Sequence, residues 1–279
     1  MIYKIINLKE HYPMLKKDSF LHIYAPNNYK EFSEGRKRKT ILILPGGGYD
    51  YTSFREGEPV AFQFVAKGFV SCVLFYNCAP FEYPYPFVEG YAAVAYLRKH
   101  ANEYNIDPNK IIISGFSAGG HMAATLACYH REQEFADYIN ESLGSIKING
   151  AVLSYPVIST DINISHPGTV KNATQGKAEL IDKLSIDKHV NADFPKCYLW
   201  HTVDDGAVPI QGTIALAKAF VDNHVFFEYH AFPKGVHGMS IASKEVCYFS
   251  DENGWFDRQD CEYDSRWIEE SIHFIDKYI

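Results

Sequence analysis

Eight short segments of the chain have the apolar patterns of β-strands. Two come early, at residues 3–8 and 19–25, and the second alternates in part between apolar and polar positions. The other six are short apolar runs, at 40–44, 70–76, 111–114, 151–155, 197–201 and 225–231. Continuous apolar runs of this length are typical of strands covered on both faces, as in a parallel sheet.

Segments with a helical apolar stripe separate these strands. They span residues 59–67, 88–103, 118–130, 210–222 and 265–278. Strands that alternate with helices predict an α/β fold built from βαβ units with right-handed crossovers. We expect the 279 residues, 1–279, to form a single domain. Residues 157–195 and 242–264 fit neither pattern, and we expect both to be cap or lid segments over the site end of the sheet.

The segment 110–121 has the context of a nucleophile elbow. A β-run is followed by Gly115-x-Ser117-x-Gly119 and then by a helical pattern. In such an elbow the turn is sharp and needs glycine where a Cβ would clash, and the serine is displayed at the end of the strand. An ordinary strand-to-helix turn, with Gly119 and Gly120 allowing close packing, is the alternative. The strand before and the helix after favour Ser117 as a nucleophile.

Three consecutive glycines, residues 46–48, follow the third predicted strand. An acyl-transfer enzyme needs backbone N–H groups aimed at the developing oxyanion. We expect the N–H groups of Gly47, Gly48 and Ala118 to form this oxyanion hole. A phosphate loop is disfavoured, because the run lacks the Lys-Ser/Thr ending and no GxGxxG follows.

Carboxylates and a histidine follow the last two predicted strands. Asp204 and Asp205 come after the seventh strand, and His237 lies in a Gly-flanked loop after the eighth. This matches the chain order Ser, Asp, His of enzymes with such an elbow. His237 would take the proton of Ser117, and Asp205 would fix the imidazole tautomer. Asp204 is the competing acid, unless it binds the backbone of the turn.

Composition and charge narrow the range of functions. The net charge of −7 argues against nucleic acid as a partner, and the basic run 36–39 reads as a solvated loop. The sequence has no zinc-ligand pair, and His121 and His201 are interpreted as packing or structural residues, so a zinc site is not expected. The charged N-terminal segment and the lack of a membrane-length apolar run predict a cytoplasmic protein with no membrane partner. Oligomeric state stays open, a homodimer included.

Several motifs together resemble the α/β-hydrolase superfamily. They are the loop 45–49, the segment 76–80, the elbow 114–121, and the two post-strand loops 204–209 and 234–238. More narrowly, the chain is similar to bacterial acetylesterases, acetylxylan-esterase-like proteins and sugar hydrolases. The resemblance implies an eight-stranded, mostly parallel sheet flanked by helices, with short cap insertions. It also implies cleavage of small esters, often acetyl groups on sugars, without a metal or organic cofactor. Hormone-sensitive-lipase relatives differ in carrying His at position 45 and a longer N-terminal cap.

Aromatic residues, 15% of the chain, are frequent in the loops beside the proposed nucleophile. Aromatic faces suit sugar rings or apolar acyl chains. The expected substrate-binding residues are Tyr49, Tyr51, Tyr83, Tyr85 and Phe116. Filling the core between loop and sheet is the alternative role for each ring.

The sequence therefore predicts a serine carboxylesterase for short acyl esters, acting on a small-molecule ester such as an acetylated sugar. A prolyl-oligopeptidase-type peptidase is one alternative. Such peptidases usually bind the substrate amine through paired acidic residues, and Glu56 and Glu58 are the only Glu pair near the site loops. A non-catalytic binding protein on the same fold is the other alternative.

Overall fold

The computed structural model describes residues 1–251, 254–257 and 265–279, and an eight-stranded sheet lies at its centre. The strands of this sheet are β1 (Ile2–Asn7), β2 (Phe20–Ala25), β3 (Arg38–Leu44), β4 (Val70–Phe75), β5 (Ile106–Phe116), β6 (Gly150–Ser154), β7 (Cys197–Thr202) and β8 (Phe227–Phe232). Their spatial order is β1-β2-β4-β3-β5-β6-β7-β8. Strand β2 is antiparallel to both of its neighbours, and β3 to β8 are all parallel.

All eight predicted strands of the central sheet are confirmed, with shifted ends. The largest shift is in β5, which begins at Ile106 rather than at residue 111. Its first part pairs with β3 only through Arg38 and Ile106, and the register is irregular before Thr40. The apolar run starts at Ile111, so the pattern marks only the regularly paired part of the strand.

Helices connect the strands. They are α1 (Leu8–His11), α2 (Glu58–Ala66), α3 (Tyr85–Lys99), α4 (Ala118–Tyr129), α5 (Gln133–Tyr138), α6 (Leu143–Ile146), α7 (Pro167–Thr174), α8 (Ala178–Lys183), α9 (Ile210–Asp222), α10 (Lys244–Cys247) and α11 (Trp267–Tyr278). The five predicted helices are present as α2, α3, α4, α9 and α11. Helix α3 starts before the predicted residue 88, because Pro86 is suited to the first turn of a helix. No helix in the described ranges is long and apolar enough to span a membrane.

Helices cover both faces of the sheet. On β3, Leu42 and Leu44 join the apolar cluster that contains α3, α4 and α9, whereas Ile41 and Ile43 join the cluster that contains α2 and α11. This division follows from the alternation of side chains along a strand. Both faces being buried explains why the parallel strands read as continuous apolar runs.

The two long excursions differ in what can be described. Residues 157–195 form α7 and α8, and Asn172 on α7 donates a hydrogen bond to the Gly48 carbonyl at 2.9 Å, which places α7 beside the glycine loop after β3. Within 242–264 the structure contains α10 and a hairpin of β9 (Tyr248–Asp251) and β10 (Gly254–Asp257). Residues 252–253 and 258–264 lie outside the described part, so a lid at 242–264 stays a prediction.

A buried carboxylate anchors the segment that follows β4. Glu89 on α3 is fully buried and accepts hydrogen bonds from the backbone N–H and the side-chain amide of Asn77, at 2.7 and 2.6 Å. Burial raises the pKa of Glu89 from 4.5 to about 7, although the two bonds from Asn77 oppose that shift. The folded protein therefore holds a proton on Glu89 at pH values where the unfolded chain has lost it.

We predict that Glu89 makes the protein less stable as pH rises. Its folded pKa is raised, so its contribution is complete below pH 4.5 and is lost as pH passes about 7. The free energy of unfolding of the wild type, relative to Glu89→Gln, should fall over this range by up to about 3 kcal/mol. Denaturant titrations of both proteins between pH 4.5 and 8 would measure the difference. Parallel pH profiles would contradict the assignment.

Candidate active site

Ser117 occupies the tight turn between β5 and α4. Its backbone has φ 53° and ψ −119°, a conformation that costs a non-glycine residue about 1–3 kcal/mol. Its N–H donates to the Ser154 carbonyl on β6 at 3.1 Å. A methyl group at Gly119 would lie 2.0 Å from the Leu44 carbonyl oxygen, so the helix can approach β3 only with glycine there. The turn therefore has the geometry of the predicted nucleophile elbow.

Three predicted residues from separate strand ends meet at this turn. The Nε2 atom of His237 lies 2.7 Å from the Ser117 Oγ, and its Nδ1 atom lies 2.7 Å from Asp205 Oδ2. A carboxylate only accepts hydrogen bonds, so the Nδ1–H of His237 donates to Asp205 and Nε2 accepts from the Ser117 hydroxyl. This arrangement can remove a proton from Ser117 and hold the resulting imidazolium beside a carboxylate.

Asp205 is held by three further hydrogen-bond donors that keep it charged. Its Oδ1 accepts from the N–H groups of Ala207 and Val208, at 2.8 and 2.9 Å. Its Oδ2 also lies 3.2 Å from His201 Nε2. Burial alone would raise the pKa of Asp205, but the hydrogen bonds from His201 and His237 lower it well below the ordinary value of 3.8. Asp205 is thus a fixed negative charge next to the imidazole.

Asp204 has a different position from Asp205. Its Oδ1 accepts a hydrogen bond from the Gly235 N–H at 2.7 Å, in the loop that carries His237. Thr202 reaches the same residue, since its hydroxyl donates to the Gly235 carbonyl at 2.8 Å. Of the two competing acids, Asp204 thus binds backbone and Asp205 faces His237.

The glycine loop after β3 brings backbone donors to the same place. Gly47 and Gly48 line the cavity that also contains Ser117 and His237. Within the described residues their N–H groups have no hydrogen-bond acceptor. Ala118 is the first residue of α4, so its N–H has no acceptor within the helix. Gly47 has φ 125°, where a Cβ would lie 2.1 Å from the Tyr51 carbonyl oxygen, and this explains the need for glycine.

The cavity over these groups has a volume of about 1120 Å³ and mixes aromatic with polar side chains. Its aromatic lining includes Tyr51, Phe54 and Phe81 from the loops after β3 and β4. His166 and Asn172 line it from the segment 157–195. This is large enough for a ligand of several rings and supplies both ring faces and hydrogen-bonding groups.

Of the five aromatic residues predicted to bind substrate, only Tyr51 lines the cavity. Its side chain is 61% exposed. Tyr49 is buried and its hydroxyl bonds His121 Nδ1 at 2.8 Å. Phe116 is also buried, because it ends β5 and packs on Tyr155 and Trp267. The prediction that Tyr49 and Phe116 bind substrate is therefore corrected.

Tyr83 and Tyr85 also lie outside the cavity lining. Tyr85 is buried in the first turn of α3, where its hydroxyl contacts the backbone of Lys17. Tyr83 is half-buried, and its hydroxyl lies 3.3 Å from Glu134 on α5. The segment after β4 directs these two rings toward neighbouring elements, and Tyr76 and Phe81 are the aromatic residues of that segment that line the cavity.

The sequence analysis did not predict the contacts that two residues, His201 and Glu56, make near the site. His201 looked structural, yet its Nε2–H is shared between Asp205 and the Val208 carbonyl, and its Nδ1 lies 2.7 Å from the Thr213 hydroxyl. Glu56 lines the cavity, and both of its carboxylate oxygens accept hydrogen bonds. The only sequence signal for either was its position near a site loop.

Glu56 and Glu58 do not act as a pair. The Glu56 oxygens are occupied by Gly46 and Tyr155, whereas Glu58 lies on α2 and accepts from the Tyr24 hydroxyl at 3.1 Å. Neither arrangement resembles paired acids that bind a substrate amine. The described ranges also contain no group of three or more His, Cys, Asp or Glu side chains that could hold a metal ion.

A family model and several known proteins are similar to this chain. The BD-FAE family model matches residues 21–220. Over 231 residues the chain is 33% identical to endo-1,4-beta-xylanase B of Butyrivibrio fibrisolvens, covering 78% of this chain and 34% of that protein. Over 222 residues it is 27% identical to the acetylxylan esterase of Xylanibacter ruminicola, covering 75% and 43%. The chain thus spans less than half the length of these two curated relatives.

Solved structures share the whole architecture. The acetyl ester-xyloside bifunctional hydrolase from Caldicellulosiruptor lactoaceticus has a TM-score of 0.79 and 28% identity, and the match covers 97% of each chain. Together with the order of the eight strands, this similarity confirms the predicted α/β-hydrolase fold.

Proposed function

This chain belongs to the BD-FAE family, and we propose that it is a serine carboxylesterase that removes short acyl groups from small acetylated sugars or oligosaccharides. The observation that carries the proposal is the contact of Ser117 with His237 and of His237 with Asp205, each at 2.7 Å. Relatives named as an acetylxylan esterase and an acetyl ester-xyloside hydrolase support the choice of an ester bond next to a sugar.

The reaction follows from the arrangement of these groups. Ser117 attacks the acyl carbonyl while His237 takes its proton, and the N–H groups of Gly47, Gly48 and Ala118 bind the oxyanion. His237 then gives the proton to the leaving alcohol, which leaves an acyl group on Ser117. His237 then takes a proton from a water molecule, which attacks the acyl carbon. The bond to Ser117 Oγ breaks, His237 returns the proton to Oγ, and the acid leaves. Asp205 stabilises the imidazolium in both halves.

The lining of the cavity supports a carbohydrate alcohol. Tyr51 and Phe54 are exposed and line the cavity that also contains Ser117, and aromatic ring faces pack against sugar rings. Asn77, His166 and Asn172 offer polar groups for hydroxyls. The peptidase alternative is weaker, because Glu56 and Glu58 bind other parts of the protein.

Ser117→Ala should lower the turnover of p-nitrophenyl acetate by at least ~10³-fold, because the nucleophile is lost. The matched control is Ser145→Ala on α6, outside the cavity lining, which should keep wild-type turnover. A fluorophosphonate probe should label the wild type and not Ser117→Ala. Undiminished turnover in Ser117→Ala would overturn the assignment. Preference for aminoacyl arylamides over esters would favour a peptidase, and no labelling would favour a binding protein.

The adjacent carboxylates give a second test. Asp205→Asn should lower kcat by roughly 10³–10⁴-fold, because an amide cannot stabilise the imidazolium and can favour the wrong tautomer. Asp204→Asn should keep kcat within about tenfold, because an amide oxygen can still accept from the Gly235 N–H. Steady-state kinetics with p-nitrophenyl acetate measure both. An equal loss in the two variants would contradict the division of roles.

The carbohydrate part of the proposal is tested at Tyr51. Tyr51→Ala should raise KM for an acetylated xylo-oligosaccharide by roughly 3–10-fold, and KM for p-nitrophenyl acetate by less, because only the sugar reaches the ring. Tyr29→Ala is the control, since Tyr29 is similarly exposed but packs on Phe32 and lies outside the cavity lining. Equal increases of KM for both substrates would remove Tyr51 from sugar binding.

A further inference from the structure

A buried carboxylate lies under the glycine loop of the candidate site. Glu56 is 3% exposed and lines the cavity that contains Ser117 and His237. Its Oε2 accepts from the Gly46 N–H at 2.7 Å, and its Oε1 accepts from the Tyr155 hydroxyl at 2.8 Å. A buried carboxylate is costly unless it is paired or hydrogen-bonded, and here both oxygens have donors.

Tyr155 extends this contact to the loop that carries His237. Its hydroxyl accepts from the Ser240 N–H at 2.9 Å, and its ring lies edge-on to the His237 imidazole with the centroids 5.1 Å apart. Ser240 is fully buried and has φ 55°, so its backbone is held in an uncommon conformation. Its hydroxyl donates to the Arg55 carbonyl at 2.6 Å, which fastens the same loop to the turn that contains Glu56.

The two ends of this network, Gly46 and Ser240, lie in the loops that carry the proposed catalytic groups. Gly46 directly precedes the proposed oxyanion donors Gly47 and Gly48. It also packs close to the nucleophile, since a methyl group added at Gly46 would lie only 2.9 Å from the Ser117 β-carbon. Ser240 follows His237 by three residues in the same loop. The chain Gly46, Glu56, Tyr155, Ser240 therefore joins the oxyanion loop to the histidine loop.

We propose that Glu56 is a positioning residue that, through Tyr155, fixes the distance between the oxyanion loop and the loop of His237. The inference rests on the proposed esterase function, and it adds a buried carboxylate to the residues on which turnover depends. Glu56 does not touch substrate in this role. It sets where the Gly47 and Gly48 N–H groups and the His237 imidazole stand relative to Ser117.

The chemistry of the network explains why a carboxylate is needed. Gly46 and Tyr155 both donate, so the group between them must accept at two atoms, which glutamine cannot do. Burial raises the pKa of Tyr155 well above 10, so its hydroxyl keeps the proton that it donates. Glu56 is faced by Tyr155, Tyr76 and His237, and by Arg55 on its own turn.

Two substitutions break the network at different atoms. Glu56→Gln keeps one acceptor and places an amide against the Tyr155 hydroxyl or the Gly46 N–H. Tyr155→Phe leaves Glu56 in place but removes its donor and the acceptor of Ser240. Each should lower kcat for p-nitrophenyl acetate by roughly 10–10²-fold, with KM within about threefold, because misplacement by about 1 Å costs that much in rate. The double variant should lose no more kcat than the more impaired single variant, because both substitutions break the same hydrogen-bond network.

The chain offers a matched control pair. Tyr24 and Glu58 form the same kind of contact, with the Tyr24 hydroxyl donating to Glu58 at 3.1 Å, but neither residue lines the cavity. Glu58→Gln and Tyr24→Phe should keep kcat within about twofold. Rates are normalised to the amount of Ser117 that a fluorophosphonate titrates at completion, so that unfolded protein does not count.

The rate of fluorophosphonate labelling is the second readout. It depends on the nucleophile, the imidazole and the oxyanion donors, and it should fall in Glu56→Gln and Tyr155→Phe along with kcat. Unchanged labelling rates in both variants, or an equal loss in the Glu58 and Tyr24 controls, would overturn the inference. A wild type that is labelled normally at Ser117 but hydrolyses no ester would overturn the proposed function instead, and labelling rates would still decide the role of Glu56.

Discussion

The close approach of α4 to the ends of β3, β5 and β6 is the constraint on which the site depends. Ser117 can stand above the sheet only because its backbone takes a costly conformation and Gly119 leaves no side chain against the Leu44 carbonyl. The Ser117 N–H bond to β6 and the packing of Gly120 against Pro156 hold this turn from the other side. Without that approach, the glycine loop after β3 would not reach the serine.

Fixed charges and buried hydrogen bonds surround the reacting groups. Asp205 receives donors on both oxygens, so it remains a carboxylate beside the imidazole of His237. The surroundings of His121 are different. Burial lowers the pKa of His121 to about 4, so it stays neutral, and it lies between Tyr49 and the Leu184 carbonyl. His237, beside Asp205, and His121, between Tyr49 and Leu184, therefore have different electrostatic surroundings, although both lie near the candidate site.

The sequence was most informative where local pattern and local chemistry coincide. Apolar runs marked all eight strands of the sheet, and glycines marked the elbow and the loop after β3, because these features depend on neighbours in the chain. The aromatic residues were mostly misassigned, since a loop position does not tell whether a ring such as Tyr85 turns toward the cavity or the core. The role that we propose for Glu56 could not be predicted from the sequence, because its partner Tyr155 is 99 residues away.

The separation of the proposed triad residues along the chain has a consequence for folding. Ser117 and His237 are 120 residues apart, and the loop that carries His237 follows β8, one of the two edge strands of the eight-stranded sheet. Contacts between such distant segments form only after a large loss of chain entropy, which slows their formation. The contact between Ser117 and His237 therefore requires β8 and the loop after it to be in place, so regain of a reactive Ser117 during refolding would report that this end of the sheet has formed.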